Sequence, residues 1–401
     1  MAELQPLKTA RTAVALIFAI NGFIYASWAS RLPRLTEMYQ MSDADLSTVL
    51  LSIAVGALVA MPITGIIIVR VGSQRLTALT SIGFVITTLL LLHSPSYGLM
   101  MGIGFLLGMC NGSMDIAMNA QAIIVEDGLK KPIMSSFHAI FSAGMLLGAG
   151  GAYLFSSLYI DLRTHLLIAG SVGLMGLIWA GQQLLEDPHQ RKAGDKSPGG
   201  WKLQPGLLLI GFVAFCCMVG EGAMSEWTSL FLEEVTGATK NVATIGVATF
   251  SGAMMMGRFG GDWARATFGS RILVRGGAII AFSGLLLGLL VPHWLVSSFG
   301  FLLVGIGLSN IVPIAYSVAG KYPGIPAGVG ISTVSVIGYA GFLIGPVAIG
   351  YISDYQKGQL LEFGSSWLGD WAGLQLGLGV VLLLFLLMLI VAFGFLKIKD
   401  A

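Results

Sequence analysis

Stretches of about 20 apolar residues, each followed by a short polar break, recur twelve times along this chain. At 1.5 Å rise per residue such a stretch covers about 30 Å, the thickness of bilayer hydrocarbon. The stretches run approximately Thr12–Leu32, Leu46–Val69, Leu76–His93, Tyr97–Val125, Ile133–Leu158 and Thr164–Leu185, then Gly206–Leu232, Val242–Arg265, Ile272–Val291, Trp294–Ala319, Ala327–Ile352 and Trp371–Leu396. No soluble core fits between them, and charged residues are 10% of the chain, against roughly 25% in a soluble domain. The expected fold is therefore all-α, with twelve transmembrane helices and the lipid bilayer as solvent. Glycine, at 55 of 401 residues, suits helices whose backbones approach closely.

Several function classes fall away at this point. The net charge of +2 gives no basis for binding nucleic acid. Cys110, Cys216 and Cys217 lie inside apolar stretches without metal-ligand spacing, and no P-loop or zinc motif is present. The reading is a chain that is not an enzyme, with no metal and no cofactor.

The polar run Glu186–Gly200, EDPHQRKAGDKSPGG, has no apolar periodicity and reads as a linker. The expected organisation is an N-terminal six-helix bundle over 1–185, a cytoplasmic linker over 186–205 and a C-terminal six-helix bundle over 206–401. Landmarks recur in order at an offset near 197 to 200 residues: Trp28 with Trp227, His93 with His293, Gly72-Ser73 with Gly269-Ser270, and Gly144-x-x-x-Gly148 with Gly341-x-x-x-Gly345. Duplicated, pseudo-symmetric helical halves imply a transporter with its site near mid-membrane. Of 22 basic residues, seventeen fall on the amino terminus and alternate loops, Arg258 counted among them, against five on the other loops. That bias places both termini in the cytoplasm.

The loop after the second stretch, Gly65-Ile-Ile-Ile-Val69-Arg70-Val71-Gly72, resembles the G-x-x-x-D-R-x-G signature of the major facilitator superfamily, with Val69 in place of the acidic residue. GDWARATFG is a more degenerate second copy. Asp115-Ile-Ala-Met-Asn119 resembles the E-x-x-x-N of the fucose-permease-like sugar/proton symporter branch, although the first helix lacks the acid those symporters carry there. The resemblance covers essentially the whole chain and implies the major facilitator fold. It also implies gating at Gly65, Arg70 and Gly72, with the acidic half of the family's cytoplasmic latch absent.

Only Asp115, Glu221 and Glu226 among the acids fall well inside the stretches, where an ionised side chain costs about 2.5 to 3.5 kcal/mol on insertion scales. A carboxyl group there can exchange a proton as water access changes, so all three are candidates for proton coupling. Asn111, Asp115 and Asn119 share one helix face, which serves either a cavity or interhelical hydrogen bonds. Glu226 is turned about 140° from Glu221 and is expected to pair with Arg31 as an external latch. Asn21, Tyr25 and Trp28 fall at i, i+4 and i+7, and with Trp227, Asn111, Asn119 and Asn310 they form the candidate substrate surface. Pro313 should interrupt the tenth helix. These residues point to a secondary active transporter that works by alternating access and moves a small polar solute, a sugar or derivative, by symport with protons. Proton-driven efflux of a small apolar compound or drug is the alternative, disfavoured because the GMLLGAGG run lacks the proline common in exporters of this superfamily. A membrane receptor or sensor that binds without flux is the reading from another class. The expected setting is the inner membrane of a bacterium, with the protein acting as a monomer.

Overall fold

The computed structural model describes residues 4–94, 96–187, 204–358 and 373–396, and among them the regular elements are all α-helices. In the first half these are α1 (Leu4–Ala29), α2 (Leu32–Tyr39), α3 (Asp43–Val71), α4 (Ser73–Leu91), α5 (Tyr97–Leu129), α6 (Met134–Ser157) and α7 (Leu162–Gln182). In the second half they are α8 (Pro205–Glu234), α9 (Lys240–Ala243), α10 (Ile245–Phe268), α11 (Ser270–Leu290), α12 (Trp294–Leu308), α13 (Ile311–Gly320), α14 (Ala327–Gly358) and α15 (Leu374–Gly394). Polar side chains start several of them. Ser42 and Asp45 form a reciprocal capping box at α3, and Asp161 caps α7 by accepting from the Thr164 amide at 3.0 Å.

Eleven spans among the described residues are long and apolar enough to cross a membrane. The remaining expected span is α10, which carries Arg258, Asp262 and Arg265 inside its length. One expectation needs correction here. Arg258, counted above with the loops, lies within α10 and is buried. The stretch Trp294–Ala319 forms one span, Trp294–Gly320, interrupted at Ser309 and Asn310 between α12 and α13, as Pro313 leads one to expect. The short helices α2 and α9 were not legible as apolar stretches. Most of the expected linker, residues 188–203, lies outside the described residues.

The chain forms two compact units. Unit 1 is Met1–Lys202 together with Ala319–Val336, and unit 2 is Leu203–Val318 together with Ile337–Ala401. Within unit 1, α1 packs on α6 and α7, α3 on α5, and α4 on α5 and α7. Unit 2 repeats the scheme: α8 packs on α15, α10 on α12, and α11 on α12 and α15. The glycine pairs complete the match. A Cβ on Gly144 would lie 2.2 Å from the Ala19 carbonyl oxygen of α1, and one on Gly341 would lie 2.7 Å from the Phe215 carbonyl oxygen of α8. Gly72 (φ 88°) and Gly269 (φ 81°) make the turns from α3 to α4 and from α10 to α11, in a region of backbone space that essentially only glycine occupies. The internal repeat read from the sequence is thus repeated in backbone conformation and in packing.

Candidate functional site

Each unit holds a carboxylate near the middle of its span's apolar sequence with a defined polar partner, Asp115 in unit 1 and Glu221 in unit 2. In unit 1, Asp115 lies on α5 at 7% exposure, and Asn119, one turn on, donates from Nδ2 to the Asp115 carbonyl (2.8 Å) and to Asp115 Oδ1 (3.2 Å). Asn119 Oδ1 is buried with no hydrogen-bond partner. Asn111, on the same face, is half-buried. The stripe expected at spacing four is therefore present, with Asn119 its most deeply buried member.

In unit 2, Glu221 on α8 faces Arg258 of α10: Nη2 stands 3.3 Å from Oε1 and 3.4 Å from Oε2, with the two side chains 18% and 10% exposed. Arg258 is also held from its other edge, where Nε donates to the Ser309 carbonyl at 3.4 Å. Local sequence explains why that carbonyl is available. Pro313 has no N–H, so the oxygen four residues before it is left without its helical partner. Cys217 Sγ reaches the neighbouring Leu308 carbonyl and Glu221 Oε1, each at 3.7 Å. Asn310, at the same break, donates to the Gly257 carbonyl (3.0 Å) and Ser309 Oγ (2.9 Å), leaving its own buried oxygen unpaired. The break in the tenth expected span thus supplies a carbonyl oxygen that meets the α10 arginine.

Other expected residues are dispersed. Asn21 is buried in unit 1, donating weakly to Met118 Sδ at 3.8 Å, while Tyr25 is exposed and meets Trp28 edge to face. Trp28 is buried and lines an apolar cavity with Leu35, Leu91 and Leu162, its indole N–H unpaired. The common helical face does not make a common open surface. Trp227 packs on Gly350 of α14 with its indole N–H likewise unpaired. Glu226 is exposed and has no hydrogen bond or ion pair among the described residues. Arg31 donates instead to the carbonyls of Ala152 (3.4 Å) and Ile160 (3.2 Å) within unit 1. Burial and the neighbouring Arg34 charge lower its pKa, and Asp161 opposes them.

Of the gating candidates, Arg70 is exposed and Gly72 makes the turn already described. Gly65 is so close to Ser332 that a Cβ would lie 2.6 Å from the serine Cβ. Unit 1 also contains a charged cluster: Lys321 Nζ lies 2.9 Å from Glu126 Oε1 and 2.8 Å from Asp127 Oδ1. Glu126 Oε2 also accepts from the Ile133 and Met134 amides, at 3.0 and 3.2 Å, at the start of α6. Sequence reasoning missed both Arg258 and this cluster. An arginine interior to a predicted span was the available signal for the first; the second joins residues too distant in sequence for any local pattern.

The architecture matches a known class. The family model of the Major Facilitator Superfamily matches residues 14–346. The chain belongs to the Major Facilitator Superfamily. Among its relatives in this superfamily, an uncharacterized MFS-type transporter of Yersinia pestis is 32% identical over 355 residues, 87% of this chain and 90% of that protein. Membrane protein MosC of Rhizobium meliloti is 33% identical over 354 residues, 86% and 84% of the two chains. Among solved structures, the fucose:proton symporter FucP of E. coli superposes with TM-score 0.79 at 15% identity, covering 100% of both chains. The human organic anion transporter MFSD10 does so with TM-score 0.73 at 16% identity, covering 96% and 99%. This major facilitator chain is accordingly a multi-pass membrane transporter and not an enzyme.

Proposed function

We propose that this protein is a proton-coupled symporter that imports a small polar solute by alternating access, with Asp115 and Glu221 as the groups that exchange protons. The observation that carries the reading is that each unit has a carboxylate well inside a span, Asp115 on α5 and Glu221 on α8, that meets a neighbouring polar side chain. Membrane-embedded acids of this kind are costly and characteristically mark proton or substrate pathways. A proton that binds such a group changes which arrangement of the helices is favoured, and a solute that binds only one protonation state is then driven by the proton gradient. The fold alone leaves the solute open, since it is shared by a transporter of fucose and one of organic anions. The protein would act as a monomer in a bacterial inner membrane, with both termini in the cytoplasm.

The test is uptake into sealed proteoliposomes under an imposed pH gradient, with wild type, Asp115→Asn and Glu221→Gln. Proton coupling predicts that each variant loses accumulation against a gradient while solute exchange at equilibrium survives in at least one. If both variants accumulate solute as wild type does, these acids do not couple transport.

A further inference from the structure

In unit 1 the seam between α1 and α7 changes character toward the C-terminal end of α1. Over its middle the contact is apolar: Gly176 of α7 lies against Leu16 and Ile20, and Gly173 against Ile20 and Ile24. Contacts that rise along α1 fall along α7, so the two helices run antiparallel. Continuing the same faces at helical spacing carries α1 from Ile24 to Ser27 and Trp28 and, just past the helix end, to Arg31, and carries α7 from Gly173 to Leu166, His165 and Leu162. Two observations agree with that register. Trp28, Leu162 and Leu166 line one cavity, and the Arg31 charge acts on His165. Polar side chains are thus gathered where an apolar seam ends.

These side chains are buried with donor or acceptor atoms left over. Ser27 is 0% exposed, His165 1%, and Trp28 and Arg31 6% each. Ser27 Oγ, Trp28 Nε1, Arg31 Nε and His165 Nδ1 have no hydrogen-bond partner among the described residues. Buried polar atoms are costly in that state, and a cluster of them in one seam calls for a common partner. The positive charge also lacks a bonded counter-ion. Arg31 Nη1 and Nη2 donate to the neutral carbonyls of Ala152 and Ile160. Asp161 acts on Arg31 only through space, because its Oδ1 and Oδ2 accept from the Thr164 amide and hydroxyl at 3.0 and 2.6 Å.

The chemistry of the leftover atoms selects the partner. The guanidinium Nε–H and the indole N–H can only donate, the Ser27 hydroxyl can donate, and imidazole Nδ1 donates in one of its tautomers. A water molecule accepting from them would bring two hydrogens needing acceptors of their own and would leave the guanidinium charge as it is. A small anion accepts from every donor and cancels that charge. The cavity beside Trp28 is about 10 Å³, the measure of one small sphere and not of a polyatomic ligand.

We propose that Ser27, Trp28, Arg31 and His165 bind one small monovalent anion of the chloride class at the α1–α7 seam. The site uses neither Asp115 nor Glu221, so it stands whether or not those groups exchange protons. A bound ion completes the shell of Arg31, which already ties the end of α1 to Ala152 of α6 and to Ile160 before α7.

The experiment is thermal unfolding of the purified protein in detergent, followed by circular dichroism. Sodium chloride is titrated in at constant ionic strength with sodium gluconate as the balance, for wild type, Ser27→Ala, Trp28→Phe and Arg31→Gln. The wild-type melting temperature should rise with chloride and level off as the site fills, and bromide should substitute for chloride. Trp28→Phe, which loses one neutral donor, should weaken the apparent chloride affinity about 3- to 10-fold, and Arg31→Gln at least about 10-fold. Should Arg31→Gln fail to fold, Ser27→Ala and Trp28→Phe carry the test. Crystals grown in bromide should show an anomalous peak within hydrogen-bonding reach of Arg31 Nε. Equal melting temperatures in chloride and gluconate would overturn the proposal. So would a chloride effect that Ser27→Ala and Trp28→Phe leave unchanged, or density beside Arg31 Nε that is water with no anomalous signal.

Discussion

Two ion clusters of this transporter differ in how closely they are held. In unit 1, Lys321 sits between two carboxylates at 2.8 and 2.9 Å, and one of them, Glu126, is anchored by the amides that start α6. In unit 2, Arg258 meets the Glu221 carboxylate at 3.3 and 3.4 Å and the Ser309 carbonyl at 3.4 Å. In the first cluster the contacts are short and two backbone amides fix the acid; in the second these contacts are all longer. A short, doubly held pair resists exchange of partners, while a longer-spaced pair opens at less cost. The comparison separates a tightly fastened pair from a more loosely spaced one.

The largest effect should come from unequal truncation of the Glu221–Arg258 pair. Glu221→Ala removes the carboxylate from a buried, permanently charged guanidinium and should destabilise the folded protein by about 3–5 kcal/mol. Arg258→Ala leaves a group that can be neutralised by a proton and should cost clearly less. Unfolding of both variants in detergent, followed by circular dichroism, tests this, and equal losses would remove the asymmetry on which the contrast depends. Next in size is Glu126→Ala, which leaves the Ile133 and Met134 amides without their acceptor; a cost of about 1–3 kcal/mol is expected in the same assay. Lys321→Ala should have a milder effect, shrinking as salt is added, because Lys321 is 23% and Asp127 57% exposed while the buried Glu126 keeps the Ile133 and Met134 amides as partners. A loss as large as that of Glu221→Ala would mean that the fastening role belongs to the lysine and not to the glutamate.

Asp161 supplies the smallest effect and a baseline for a solvent-exposed carboxylate. Hydrogen bonds from the Thr164 hydroxyl and backbone hold its pKa below the ordinary aspartate value. A depressed native pKa means that the stabilisation is fully present above the unfolded value, about 3.9, and is lost as pH falls through the native one. Asp161→Ala should therefore lower the melting temperature slightly at neutral pH. The difference from wild type should fade below about pH 3.9. A difference that persists unchanged in acid would show that the cap acts without its charge.

Much of the fold was legible because its causes are local or periodic. Apolar length located the spans, Gly72 and Gly269 located matching turns, and the spacing of Gly144 with Gly148 and Gly341 with Gly345 located the close contacts of α6 and α14. The candidate site was legible only in part. Asp115 and Glu221 stood out as acids in apolar surroundings, but the partner of Glu221 is 37 residues away on another helix, and Arg258 had been read as a loop charge. Pro313 signalled a break without saying that the freed carbonyl would hold a guanidinium. Helical spacing grouped Asn21, Tyr25 and Trp28, yet the direction in which that face turns is set by packing on neighbouring helices, and it buries the first and last while exposing Tyr25.

The most direct measurement of the central claim is an infrared difference spectrum of the reconstituted protein on addition of a solute that the vesicles accumulate, recorded for wild type and Glu221→Gln. The account predicts loss of a carboxylate band and gain of a protonated carboxyl band in wild type, with both features missing from the variant. No protonated carboxyl band in wild type, or the same band in Glu221→Gln, would contradict it.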